Sequence, residues 1–219
     1  MTHLTDISVK YIKVRVNRYI MARRKRGYLK ERIIRTILNH PSGDLSKYRL
    51  AKEADASFPW THEYLTTLER EGYVDGTTVF DYRGLLDYWL GMRIKPEKRD
   101  YMVQDPLSLL RDSDMSYALT SYQAENILQG YLFPSRVDIY VSVDDAEKWH
   151  MLMRENGLVG RGNVRVLVDD PHVFYGSHVV RDFNLVSTPQ LILDLFADGG
   201  PSVEAAEMLI EKVVLKHVQ

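Results

Sequence analysis

The chain contains no cysteine among its 219 residues. That excludes disulfide frameworks, thiol nucleophiles and cysteine-ligated zinc, and it fits a reducing compartment. No apolar run approaches the roughly 18 residues that a membrane span requires, and the N-terminal stretch has no secretory apolar core. A soluble, cytoplasmic protein is therefore the expectation. Neither a GxxxxGK[ST] phosphate loop nor a GxGxxG fingerprint occurs, which removes the two most readable nucleotide-binding signals. Aromatic residues are not scarce, at 11%, and 45% of residues are hydrophobic, which supports a packed core and argues against disorder. The length accommodates two ordinary domains of roughly 100 residues.

Net charge is also nearly absent, at −1, but its distribution is uneven. Residues 1–40 hold 11 basic side chains against only Asp6 and Glu31, so the remainder carries the balancing excess of acid. A basic end joined to an acidic body points to a polyanionic partner for one part of the chain, or else to a solvated basic tail. The densest basic run is Arg23-Arg24-Lys25-Arg26. The residues before it fit a strand and a helix equally well: Val14 and Val16 alternate with Lys13 and Arg15, while Ile12, Val16 and Ile20 form a helical stripe.

From Tyr28 the periodicity is clearer. Ile33, Ile34, Ile37 and Leu38 predict a helix from about Tyr28 to Asn39, ended by His40-Pro41-Ser42-Gly43. A second helix is expected over about Ser46–Ala54, with Tyr48, Leu50 and Ala51 in the core. After a linker at 55–59, a third covers about Trp60–Glu71, with Leu65 and Leu68 inward and Gly72 as a left-handed cap. Asp75-Gly76 between β-formers then predicts a hairpin, because glycine tolerates the positive φ of a tight turn. Three helices followed by a hairpin is the order of a winged helix-turn-helix, the fold expected for residues 28–81.

In such a fold the third helix offers its outward side chains to base edges in the major groove. The candidates are Trp60, His62, Thr66, Thr67 and Arg70. Lys47, Arg49 and Lys52 on the preceding helix are candidate phosphate contacts, and Arg23, Arg24, Lys25 and Arg26 would add salt-dependent affinity. Against this stand Glu63, Glu69 and Glu71 on the same helix and Asp75 and Asp81 at the hairpin, which leave a protein-binding adaptor open as a rival.

Residues 82–114 read as a helical connector and 115–219 as a mixed α/β domain, giving an α+β chain overall. Ala118–Leu128 is expected as a helix, Val137–Val143 and Val164–Val168 as strands, and Val173–Val180 as a candidate third strand. Ala146–Asn156 is expected as another helix. Ser187 and Gln190 have the spacing of a capping box opening a helix that Gly199-Gly200 ends, and a last helix covers about Ser202–Lys216. Asp169, Asp170, His172, His178 and Asp182 include metal-ligand types, but their spacing matches no metal signature, and Asp169-Asp170-Pro171 reads as a turn. A nucleotidyltransferase-like centre would need paired carboxylates on one strand. Asp138-Ile139-Tyr140 supplies one, and Asp144-Asp145 reads as a turn and helix start. No catalytic residue is assigned, and a nucleotide-handling enzyme using Asp138, Asp144 or Asp145 stands as the alternative.

Two phrases carry a resemblance. Tyr117-Ala118-Leu119-Thr120-Ser121-Tyr122-Gln123-Ala124, followed by Pro134 and the strand at 137–143, is similar to a phrase of the AbiEi-type antitoxins of type IV toxin–antitoxin systems. In that family glycine is frequent where Ser121 stands. The segment from Val186 to Leu195, then Gly199-Gly200 and Glu204-Ala205-Ala206-Glu207-Met208-Leu209, resembles the family's C-terminal phrase. The resemblance covers about residues 28–216. It implies a cofactor-free transcriptional repressor acting on its own promoter, with double-stranded DNA, a nucleotidyltransferase-type toxin and a second copy of the chain as candidate partners. It also makes the C-terminal domain a candidate for a non-catalytic, nucleotidyltransferase-like fold.

Overall fold

The structure, a computed structural model, describes residues 27–218, with side chains described as far as 215. Arg23, Arg24, Lys25 and Arg26, and the strand-or-helix ambiguity before them, lie outside the described residues. The fold is mixed α and β, as expected.

Helix α1 covers 27–39 and buries Ile33, Ile34, Ile37 and Leu38 almost completely. Truncating any one of them to alanine would cost about 2–5 kcal/mol. Helix α2, Lys47–Glu53, starts where the Ser46 hydroxyl accepts the Arg49 amide at 3.2 Å, satisfying one of the free donors of the first turn. Helix α3 runs Phe58–Arg70. Gly72 ends it at φ +83°, with the Tyr73 amide donating to the Leu68 carbonyl and the Gly72 amide to the Glu69 carbonyl. This is the paired closure of a Schellman end.

A short antiparallel hairpin follows, β1 (Val74–Asp75) and β2 (Thr78–Val79), with Asp75 opposite Thr78 and Gly76 at φ +63° in the two-residue turn. Ser42 makes an isolated bridge to Thr78, attaching the α1–α2 loop to the hairpin. Helix α4, Tyr82–Met92, is capped by Asp81, whose carboxylate accepts the Gly84 amide at 2.8 Å.

The remaining residues form a seven-stranded mixed sheet among the described residues, ordered β6-β3-β7-β5-β4-β9-β8. Its strands are β3 (Glu97–Val103), β4 (Ala118–Thr120), β5 (Val137–Ser142), β6 (Gly157–Val159), β7 (Val164–Asp169), β8 (His178–Val180) and β9 (Phe183–Leu185). Strand β5 pairs parallel to β7 and is buried from Val137 to Val141, as a strand covered on both faces should be. Helix α5 (Pro106–Arg111) follows β3, α6 (Ser121–Leu128) follows β4, and α7 (Ala146–Glu155) packs against β3 and β5. Helices α8 (Thr188–Asp198) and α9 (Pro201–Val218) pack on one another, and α8 also meets α4 and α6.

Several expectations are corrected. The connector 82–114 is not helical throughout, because Glu97–Val103 forms strand β3. Its first three residues are charged and exposed, and only Tyr101 and Val103 mark a buried face. Ala118–Leu128 is a strand followed by a helix, not one helix. The joint is Ser121, a non-glycine residue at φ +53°, in the left-handed region that glycine occupies without strain. Val173–Val180 begins as a 3-10 turn at Pro171–Phe174 and only its last three residues are strand. Tyr48, expected in the core, is 69% exposed. Ser187 makes no side-chain cap to α8. Its hydroxyl instead accepts from Asn39 at 3.3 Å, and Gln190 accepts from Arg35 at 3.0 Å. Tertiary partners on α1 have taken both polar groups away from the cap.

That exchange belongs to a continuous polar seam between the first helices and the sheet. Arg32 forks onto Asp170 at 2.8 and 2.7 Å. Arg35 is buried against Trp89 and reaches His172 Nδ1 at 3.1 Å. Because a guanidinium can only donate, Nδ1 accepts and Nε2 carries the proton, donating to the Glu53 carbonyl at 3.0 Å. Glu31 accepts the Ile94 amide at 2.6 Å and the Trp89 indole at 3.2 Å. Arg93 pairs with Asp194 of α8, which also accepts from Tyr140 at 2.9 Å, from Gln190 at 3.1 Å and from Thr120. Asp194, placed mid-helix in an apolar run, is thus the buried centre of this seam, 4% exposed.

Replacing Asp194 by alanine leaves Arg93 buried without its partner. The expected loss is about 3–5 kcal/mol of unfolding free energy, read from urea denaturation. The seam also sets a pH dependence. Burial pushes the His172 imidazole down to about 4, with the Arg35 charge adding to the effect. Its stabilisation is present above the unfolded value near 6.5 and is lost as pH falls towards 4. Burial pushes the Asp169 carboxyl up to about 6, so the folded state takes up that proton first and gains stability over the same interval. In Asp169→Asn this opposing gain disappears. Its melting temperature should fall more steeply between pH 6.5 and 4 than the wild type's, whereas that of His172→Gln should fall less steeply. Parallel curves for all three proteins would contradict the assignment.

Candidate nucleic-acid interface

Helix α3 is amphipathic, burying Thr61, Tyr64, Leu65 and Leu68 against α1 and α2. Phe58, His62, Thr66 and Arg70 recur every four residues and are all exposed, so successive members are neighbours in a row that winds round the outer surface of the helix. Phe58 stacks on His62 with ring planes 8° apart and tilts against Tyr48 of α2. The result is an exposed aromatic end to the stripe and an arginine end at Arg70, whose side chain is 73% exposed and lies 3.6 Å from the Glu71 carboxylate.

His62, Thr66 and Arg70 are thus brought together as expected. Thr67 is only half-exposed, and both threonine hydroxyls donate to their own helix, Thr66 to the His62 carbonyl at 3.0 Å and Thr67 to the Glu63 carbonyl at 3.1 Å. Their oxygens retain acceptor capacity. Trp60 is corrected. It is half-buried, packs against the core and stacks on Tyr64 with planes 7° apart. Its indole N–H is buried and has no hydrogen-bond partner among the described residues. Phe58 and Tyr48 replace it as the outward aromatics. Phe58 was readable as the position four before His62, but the Pro59 beside it marks the segment as a linker. Proline is in fact at home in the first turn of a helix, and α3 begins one residue before it.

The basic residues of α2 divide. Lys47 is half-buried and pairs with Glu69 at 3.3 Å. The same Glu69 oxygen accepts the Gly76 amide at 2.8 Å, so this glutamate ties the hairpin turn to α3. Arg49 is 69% exposed and pairs with Glu53 at 2.9 Å, an exposed pair worth only about 0.3–0.5 kcal/mol and easily exchanged for another anion. Lys52 is exposed and has no ion pair among the described residues. Phe80, at the end of the hairpin, is 82% exposed. The acidic character of α3 is therefore partly structural. Glu69 faces inward to its lysine and the turn, while Glu63 and Glu71 remain exposed.

The other candidate sites disperse. Asp170 is held by Arg32 and His172 by Arg35 and Glu53, while His178 is exposed on β8. No group of three or more potential metal-ligating side chains occurs among the described residues. Asp145 opens α7, accepting from Ser142 at 3.0 Å and Lys148 at 2.8 Å. Asp138 is buried on β5 with Arg136 on it at 2.8 Å. No helix among the described residues is long and apolar enough to cross a membrane.

Glu69 makes the hairpin testable. Glu69→Ala leaves Lys47 and the Gly76 amide without their shared acceptor, and should cost about 1–3 kcal/mol. Amide hydrogen exchange at Gly76 should accelerate more than exchange in α1. Uniform acceleration would argue against a hairpin held locally by this residue. No family model matches the chain, and neither a curated protein nor a solved structure matches it.

Proposed function

We propose that the chain is a DNA-binding transcriptional regulator whose residues 28–81 form a winged helix-turn-helix. The observation that carries this reading is the stripe Phe58-His62-Thr66-Arg70, exposed on the third helix of a three-helix unit that ends in a pinned hairpin. The order of elements supports it, as does the Ser42–Thr78 bridge that ties the loop after α1 to the hairpin. Arg70 and Thr66 supply donors and acceptors suited to base edges, and the ring face of Phe58 suits a thymine methyl. Arg49 and Lys52, on the adjacent helix, suit phosphates.

The stripe carries little net charge, so most of the electrostatic affinity falls to the basic residues 23–26 and their neighbours. The AbiEi resemblance extends the proposal to an autorepressor and antitoxin acting as a dimer on an inverted repeat. Two copies of a weakly basic reading helix would then share one site. A non-catalytic role for the C-terminal half is favoured by the candidate carboxylates, since Asp138 is paired with Arg136 and Asp145 with Lys148 and they form no pair on one strand.

Gel-shift titration against the upstream region of the chain's own gene tests the reading. Arg70→Ala should weaken specific binding by about 1–3 kcal/mol and relax preference at one base position, whereas Lys52→Ala should weaken all sequences alike and lower the salt slope by about one. Removing residues 1–26 should flatten the salt dependence while the thermal melt of the remainder is retained. No shift at low salt would sink the regulator, and a shift indifferent to sequence would reduce it to non-specific binding.

A further inference from the structure

A cavity of about 510 Å³ opens where α4, the connector from Arg93 to Pro96, the central strands and α8 meet. A second chamber of about 400 Å³ continues from it past Tyr122 and Ser135, sharing Arg136, Asp138, Arg165 and Asp198. These volumes fall in the range of small-ligand sites. The lining has three kinds of chemistry. Lys95 and Lys98 are exposed at its rim, and neither belongs to an ion pair among the described residues. Arg136 spends its Nε–H on Asp138 at 2.8 Å, and Arg165 forks onto Asp100 at 2.7 and 3.2 Å. Both guanidiniums keep further N–H donors for an anion, since each carries five. Beside them Asp138, which keeps one carboxylate oxygen clear of Arg136, and Asp198 supply carboxylate acceptors, and Leu90 and Leu167 supply apolar surface. Burial pushes the Asp138 carboxyl above its usual range, so it favours a partner that donates hydrogen bonds to it.

We propose that this cavity binds a nucleoside phosphate as a regulatory ligand. The phosphate sits among Lys95, Lys98 and the free N–H groups of Arg136 and Arg165. The ribose hydroxyls donate to Asp138 and Asp198, and the base lies against Leu90 and Leu167. A simple anion would use the cations but neither the exposed carboxylate of Asp198 nor the apolar wall. The position supplies the regulation. The connector that bears Lys95 is fixed at one side by the Ile94 amide on Glu31 of α1, and at the other by Arg93 on Asp194 of α8. A ligand that draws Lys95 inward therefore acts on the segment that sets α1, and with it α3, against the sheet. The binding site stands independently of the DNA-binding reading, and its regulatory consequence rests on that reading.

Titration calorimetry on the full chain with ATP, AMP, ribose 5-phosphate and inorganic phosphate tests the site directly. ATP or AMP should bind more tightly than either fragment, and Lys95→Glu/Lys98→Glu should weaken that binding by about tenfold or more, a loss of charge-assisted contacts. Both lysines are exposed, so the thermal melt should be unchanged. Arg154→Glu, a charge reversal on α7 away from the cavity, should leave affinity intact. Absence of nucleotide binding, equal binding by the double variant, or inorganic phosphate binding as tightly as ATP would each overturn the site. Gel shifts with and without ATP then read the coupling. A change in DNA affinity of about fivefold or more in the wild type, absent in the double variant, supports regulation. Intact nucleotide binding with unaltered DNA affinity overturns the regulatory role alone. No DNA shift under any condition overturns the proposed function, while calorimetry still reports on the cavity.

Discussion

The buried pair between Arg93 and Asp194 is the contact on which the arrangement of this molecule depends. Arg93 lies just after α4 and Asp194 in the middle of α8, so one charge pair ties the end of the helix that follows the hairpin to the helix that packs on it beside the sheet. Two charges cannot be removed from water cheaply, and such a pair is tolerable only when its remaining hydrogen-bonding capacity is met. Here Tyr140, Gln190 and Thr120 meet it, each from a different part of the C-terminal half. The Tyr140 hydroxyl is in turn held far above its usual range, first by burial, and so stays a donor.

From that pair the seam extends without a break. Gln190 passes to Arg35, Arg35 to His172, and His172 to the backbone of α2. On the other side Glu31 holds the connector through the Ile94 amide. Two consequences follow for function. The first helices are tied to the sheet through these contacts, so a change at the seam reaches α1 and, through the shared core, α3. Asp170 and the buried His172 imidazole are also taken up by the seam, so these ligand types do not gather into a metal-binding group among the described residues.

The segments legible in the sequence were those whose signal is local. The apolar face of α1, the Gly72 closure, the Asp75-Gly76 turn and the apolar runs of β5 and β7 each rest on near neighbours or on simple periodicity, and each stands where it was expected. Strands β3, β4, β6 and β9 were not legible. Three of them have only three residues, too few for a period to show, and β3 is charged along most of its exposed face. The stripe on α3 was half legible. His62, Thr66 and Arg70 follow from helical spacing, but Trp60 and Tyr48 exchange places with the expectation, because Trp60 stands one turn before buried Tyr64 and stacks on it, while Tyr48 faces out beside Phe58.

By itself the sequence determined the class of chain: no cysteine chemistry, a basic N-terminal segment against an acidic remainder, three helices and a hairpin, then a mixed α and β half. Those properties depend on composition and on contacts within a few residues. The tertiary structure alone decided the employment of the polar side chains. Ser187 and Gln190 have the spacing of a cap yet serve α1, Glu69 reads as unwanted acid yet holds a turn, and Asp194, an acid in an apolar run, finds its partners only across the fold. A buried polar group takes the partner that burial brings within about 3 Å, and residues more than a hundred positions apart can supply that partner only once the chain has folded.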